Sequence, residues 1–135
     1  MEFLIQGRSI KMKKLLTAIL PSMLSQLHLT NSKKCLVIVL EDELDQMGLT
    51  IEMPGVHGFL VAIKVSKSWR DMLLTLAHEL VHVSQMASGK LKNLPNGAKI
   101  WAGKKYKKST PYLNQPWELN AFARQELILR RALEE

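Results

Sequence analysis

The chain has 135 residues, 47% of them apolar, with no internal repeat and no low-complexity segment, so it fits one domain over residues 1–135. The formal net charge of +7 favours an acidic partner or surface, although a solvated lysine-rich face satisfies the same charge. A single cysteine, Cys35, excludes an internal disulfide, points to a reducing compartment and leaves histidines and carboxylates as the ligands of any metal.

Residues 2–8 are too short to assign. Residues 10–29 predict an amphipathic helix, lysines on one side and Leu16, Ile19, Leu20, Met23 and Leu27 on the other. The start of this segment, from Lys11 to Leu20, also has the basic-then-apolar order of a signal peptide beginning near Met12. Its apolar run is short, Pro21 ends it and no small-x-small cleavage site follows, so a cytoplasmic protein is the expectation. No stretch is long enough to span a membrane. Residues 35–41 predict a buried strand, with Cys35 as packing. Residues 48–53 predict a second strand, ended by Pro54-Gly55, and Gly58 to Val65 a third, apolar on both faces.

Ser68 predicts an N-cap, with Asp71 in the capping-box position, for a helix running to about Ser88 and stopped by Gly89. Residues 89–113 predict a long lysine-rich loop, and Asn114 and Pro116 open a last helix. The order is helix, about three strands, helix, long loop, helix: an α+β fold with a small sheet against helices.

Within the helix that follows Ser68 lies His78-Glu79-Leu80-Val81-His82. Residues four apart on a helix share a face, so two imidazoles can grip one ion while the intervening glutamate reaches a metal-activated water. The surroundings sharpen the pattern. Nearly every direction of this helix is apolar, and its main polar stripe is Asp71, Thr75, His78, His82 and Gln85, with Glu79 at the edge. A pair of hydrogen-bonded core histidines is the plainer alternative.

Zinc needs a third protein ligand. His28 and His57 are candidates that can equally be surface residues. Glu118 is the better one, because it falls within the apolar stripe of the last helix (Trp117, Ala121, Phe122, Ile128, Leu129, Ala132, Leu133), where a bare carboxylate is costly. Pairing with a lysine, or a place at the helix start, would explain Glu118 without a metal. Glu126 lies at the margin of the stripe.

Taken together, HExxH on one helix and a glutamate on a later one resemble the gluzincin-type zincins. The run Trp101-Ala102-Gly103-Lys104, then Tyr112, then Pro116-Trp117-Glu118 with Ala121, is similar to small phage-borne HExxH peptidases and minigluzincins, over residues 58–125. The resemblance implies a zincin-like fold: a small mixed sheet packed on an N-terminal helix, an HExxH helix and a C-terminal glutamate-bearing helix. It implies one zinc per chain on His78, His82 and Glu118, Glu79 as general base, and strand 59–65 along the substrate cleft. The chain departs from metzincins, whose third histidine would fall at Ser88, and from SprT-like proteases, where Met86 stands.

The expected function is therefore a zinc metallopeptidase acting on a peptide or protein. Tyr106, Tyr112 and His57 are candidate oxyanion donors, Tyr112 first, and Asn114, Asn120 and Asp71 are candidate partners of the histidines. Two alternatives stand beside it. One is a non-catalytic or regulatory zinc protein resembling the ImmA type. The other is a nucleic-acid-associated protein using the loop at 90–108, where Lys90, Lys92, Lys99, Lys104, Lys105, Lys107 and Lys108 are interleaved with Trp101 and Tyr106.

Overall fold

The computed structural model describes residues 1–134. The elements are β1 (Glu2–Gln6), α1 (Ile10–Gln26), β2 (Cys35–Glu41), β3 (Gly48–Met53), β4 (Gly58–Lys64), α2 (Trp69–Ala87), β5 (Leu91–Asn93), β6 (Lys99–Trp101), β7 (Lys104–Tyr106), a 3₁₀ turn (Tyr112–Asn114) and α3 (Pro116–Glu134). This is a small mixed α+β fold of three helices and two sheets.

The larger sheet has the order β1-β2-β4-β3. The first three of these strands are parallel, and β3 runs antiparallel to β4 at the edge. Cross-strand rows Phe3–Leu36–Phe59 and Ile5–Ile38–Val61 face the helices, and with Leu40 and Ile63 they form the sheet's half of the core. On the other face Leu4 and Ile51 are exposed.

The helices are defined locally as well as by packing. Ser9 and Ser68 cap α1 and α2 by accepting from the backbone N–H of Met12 and Asp71. Helix α1 buries Met12, Leu16, Ile19, Leu20, Met23 and Leu24, so the segment with signal-peptide character is a core helix here. Pro21 lies within that helix rather than ending the pattern. No helix among the described residues is long and apolar enough to cross a membrane.

Two expectations are corrected and one unassigned segment is resolved. Residues 2–6 form an edge strand, stabilised by pairing with β2, which no short window of sequence reveals. The predicted loop at 89–113 contains a three-stranded antiparallel sheet, β5-β6-β7, whose strands of three residues are too short to give a periodic signal. Cys35 is only partly buried, at the start of β2, with its thiol directed at the Val56 carbonyl.

Candidate metal centre

Helix α2 is buried over most of its length, and His78, Glu79, His82 and Gln85 are its buried polar side chains. Its HExxH spacing brings His78, Glu79 and His82 into a cluster that could hold a metal ion, their ligand atoms within 4.8 Å of one another. The first turn of α3 faces this stripe and brings in Glu118. His78 Nε2 lies 2.9 Å and His82 Nε2 3.1 Å from the same oxygen, Glu118 Oε1. The positive end of α3 favours a carboxylate at that place. Glu126, by contrast, is on the surface, where it receives Arg70 through both its oxygens at 2.8 Å.

The other ring nitrogens are held by amides. His78 Nδ1 is 2.8 Å from Gln125 Oε1, and His82 Nδ1 is 2.9 Å from Gln85 Oε1. Gln85 is fixed from its nitrogen side, donating to the Trp117 carbonyl at 3.0 Å and to Asn120 Oδ1 at 2.9 Å. Its oxygen must therefore face His82, and His82 Nδ1 must be the N–H that donates to it. A neutral imidazole so arranged presents a lone pair at Nε2, the form in which it binds a metal.

That assignment tests the fit of a cation. Two Nε2 lone pairs cannot both sit about 3 Å from an anionic oxygen without a positive charge between them. Tyr112 Oη also donates to Glu118 Oε1, at 3.1 Å. Either protons fill the space between the imidazoles and the carboxylate, or a metal ion does, and the donor set of two imidazoles and a carboxylate suits a first-row divalent ion.

Without a metal, the electrostatics of Glu118 and His82 favour a proton between them. Burial raises the pKa of Glu118, but hydrogen bonds and charge from His78 and His82 outweigh it and hold the group well below the carboxylate range. Burial opposes the charged form of His82, yet Glu118, Gln85 and Glu79 together raise its pKa. Glu79 is raised by burial, against the opposing pull of His82, Thr50 and His78. Tyr112 is pushed up to about 12 by burial and by Glu118, so its hydroxyl keeps its proton.

Glu79 is positioned from β3. Thr50 Oγ1 donates to Glu79 Oε1 at 2.8 Å, and Gly48 allows the strand to lie against α2. The strand along the cleft is accordingly β3, not residues 59–65. Strand β4 has β2 and β3 on its two sides and offers no free edge.

The cleft over the cluster, about 240 Å³, is lined from four directions. Gln46, Leu49 and Thr50 come from β3 and the segment before it, Asn93 and Lys99 from the small sheet, Tyr112 from the 3₁₀ turn, and Glu118 from α3. A second hollow on the far side of His78 and Glu79 is lined by Met47, Leu74, Tyr112 and Phe122.

Of the sequence candidates, the structure brings His78, Glu79, His82, Glu118 and Tyr112 together. It leaves His57 in the β3–β4 turn with φ 47° and His28 after α1 with φ 58°. Tyr106 packs edge-on against Trp117 instead of lining the cleft. Asp71 and Asn114 make no hydrogen bond to either histidine, and Asn120 acts one step away through Gln85. Gln125 and Thr50 were missed. Gln125 follows Glu118 by seven residues, two turns along the same face, and that spacing was the available signal.

In the lysine-rich segment, Lys90 lies over the Trp101 ring and Lys104 over Tyr106, so each aromatic already carries one of the chain's own cations. Comparison with protein-family models, with curated proteins and with solved structures returned no match.

Proposed function

We propose that the protein is a zinc-dependent metallopeptidase of gluzincin type, with His78, His82 and Glu118 as the zinc ligands and Glu79 as general base. The observation that carries this reading is the convergence of both Nε2 atoms on one Glu118 oxygen, with the anchored carboxylate of Glu79 beside them. A retained glutamate between the histidines favours catalysis over a purely structural zinc, which has no use for a base.

When bound, zinc supplies Lewis acidity at a carbonyl and lowers the pKa of water. The chain's own residues do the rest. Gln85 and Gln125 hold the Nδ1 protons, so both rings present Nε2. Thr50 fixes one oxygen of Glu79, which accepts the proton of the attacking water and returns it to the leaving amine. Burial brings the Glu79 pKa closer to neutral, which suits both halves of that transfer. Tyr112, protonated at the rim, is the donor nearest the reacting centre and the candidate for stabilising the oxyanion.

The purified protein should contain close to one zinc per chain, and Glu118→Ala should lower that content. Glu79→Gln should keep zinc but lose hydrolysis of an unfolded protein such as denatured casein. Wild-type cleavage by Glu79→Gln would sink the peptidase reading. Zinc at full content with no cleavage by the wild-type protein would favour a non-catalytic module.

A further inference from the structure

The two sides of the site differ in chemistry. On the side of the small sheet the cleft contains a single lysine or arginine, Lys99, on β6. On the other side the hollow holds Met47, Leu74 and Phe122 together with Asp71, Thr75 and Gln125, and no lysine or arginine. His78, Glu79 and Tyr112 border both.

Lys99 is unlike the other lysines of its segment. It is partly buried in the cleft wall, with its ammonium near the Trp117 ring at 5.9 Å from the centroid and donating to the Asn93 amide oxygen. Asn93 stands directly across from it in the β5–β6 ladder and also lines the cleft. No carboxylate lies within ion-pair distance of Lys99 among the described residues. The acid whose charge reaches it, Glu118, is already engaged by His78, His82 and Tyr112. A half-desolvated ammonium with a neutral partner is poorly compensated, and burial lowers its pKa accordingly. Holding the β5–β6 hairpin together requires no charge there, since the ladder is made by the backbone.

We infer that Lys99, with Asn93 beside it, is a specificity-determining residue that receives a carboxylate of the substrate on the small-sheet side of the scissile bond. This deepens the peptidase reading and rests on it. The Asn93 amide nitrogen donates one N–H to Met86 Sδ, a weak acceptor, at 3.1 Å; its second N–H and the ammonium can serve the two oxygens of a carboxylate, and the bonds from the ammonium are charge-assisted. The carboxylate can belong to an internal Asp or Glu or to a free chain terminus, and both present the same chemistry to Lys99.

The test uses the whole zinc-loaded protein and a peptide mixture prepared with free and with amidated C-termini, with products read by mass spectrometry. Cleavage sites should be enriched in Asp or Glu at one fixed position, or confined to peptides with a free terminus. The acidic-over-neutral ratio should be roughly tenfold or more. Lys99→Met should abolish that ratio through KM, Lys99→Arg should retain it, and Lys99→Glu should turn the preference towards Lys and Arg. A ratio near one in the wild type, or one unchanged in Lys99→Met at an unaltered thermal midpoint, overturns the inference.

A binding arm separates this result from the fate of the peptidase reading. Zinc-loaded Glu79→Gln protein is titrated with matched hydroxamates carrying Glu or Gln, built to extend to either side of the metal. The Glu probe should bind roughly tenfold more tightly on one side only, and Lys99→Met should equalise the pair. Equal binding by the unmutated Lys99 protein refutes the inference even if peptides are cleaved. Unequal binding upholds it even if they are not.

Discussion

Gly48 is where the position of Glu79 depends on the sheet. A Cβ at this position would lie 2.5 Å from Thr75 Cγ2, 2.9 Å from Glu79 Cγ and 3.3 Å from Glu79 Cδ. Carbon atoms in contact sit about 3.5–4.0 Å apart, so Gly48→Ala demands roughly 1 Å of movement. Little in the surroundings can give. Gly48 is paired with Ile63 in the ladder, Thr75 is in the middle of α2, and Thr50 holds the Glu79 carboxylate. Overpacking of this kind costs about 1–3 kcal/mol, and for a chain of this length that is a fall in thermal midpoint of roughly 3–10 °C. A reacting group displaced by about 1 Å costs on the order of 100-fold in rate.

Gly48→Ala should therefore bind zinc as the wild type does, because the ligands lie on α2 and α3, while peptide hydrolysis falls by about 100-fold. Adding Thr75→Ala removes the closest contact. It should recover much of the thermal midpoint and little of the rate, since the clash with Glu79 remains. Calorimetry, zinc analysis and a peptide-cleavage assay on the two variants suffice. A Gly48→Ala protein with wild-type midpoint and rate would show that β3 does not press on Glu79, and the reasoning would fail.

Gln85→Leu leaves His82 Nδ1, the Trp117 carbonyl and the Asn120 amide without their partner. It should lower stability by about 1–3 kcal/mol and zinc affinity by roughly 10–100-fold in a chelator competition, and unchanged affinity would mean that the amide does not orient the ring. The metal-free protein should also have a distinctive pH dependence. His82, raised in the fold, contributes stability below its ordinary value of 6.5 that is lost as pH rises through the folded pKa. Glu118, depressed in the fold, contributes stability above its ordinary value of 4.5 that is lost only as pH falls towards its folded pKa. Glu79, raised from 4.5, also disfavours the fold as pH climbs past its ordinary value. In thermal scans the chelated protein should be more stable near pH ~6 than near pH ~9, because the contribution of the raised His82 pKa declines as pH rises. A midpoint that rises over this interval would contradict the Glu118–His82 pairing. Saturating zinc should remove or reverse the trend, because the metal requires the unprotonated rings.

How far each residue could be read from sequence follows from what determines its place. The His78–Glu79–His82 face was legible because periodicity within one helix fixes which side chains share a side. The apolar wheel around it identified that side as buried. Glu118 was legible for the same reason, as a charge inside an apolar stripe. Strand β3 was found, but its closeness to Glu79 was not. That closeness depends on β3 being the edge strand of a mixed sheet, and strand order is a property of pairing, invisible along one segment. The small sheet β5–β7 was hidden for a related reason: three-residue strands exist only because their neighbours complete the ladder. Along the sequence Gln125 is one more polar residue on a helix with an exposed face. Only the docking of α3 on α2 gives its amide an imidazole.

The charges at the site also explain one another. The residues closest to the cluster that orient it are neutral: Gln85, Gln125 and Thr50 fix the rings and the base without adding charge. A single divalent cation would balance the two carboxylates, Glu79 and Glu118, and a buried site close to neutrality avoids the desolvation cost of a net charge. Without the cation the same groups approach neutrality by proton transfer, with His82 drawn towards the imidazolium, Glu118 held anionic beside it and Glu79 shifted towards its acid form. Lys99 makes no ion pair with either carboxylate, although the charge of Glu118 reaches it. Its charge is matched by no acid within ion-pair distance among the described residues, and it lies on a wall of the cleft over the cluster. A cation left over after the internal account closes is available to something that enters from outside, and a carboxylate is the group that completes it.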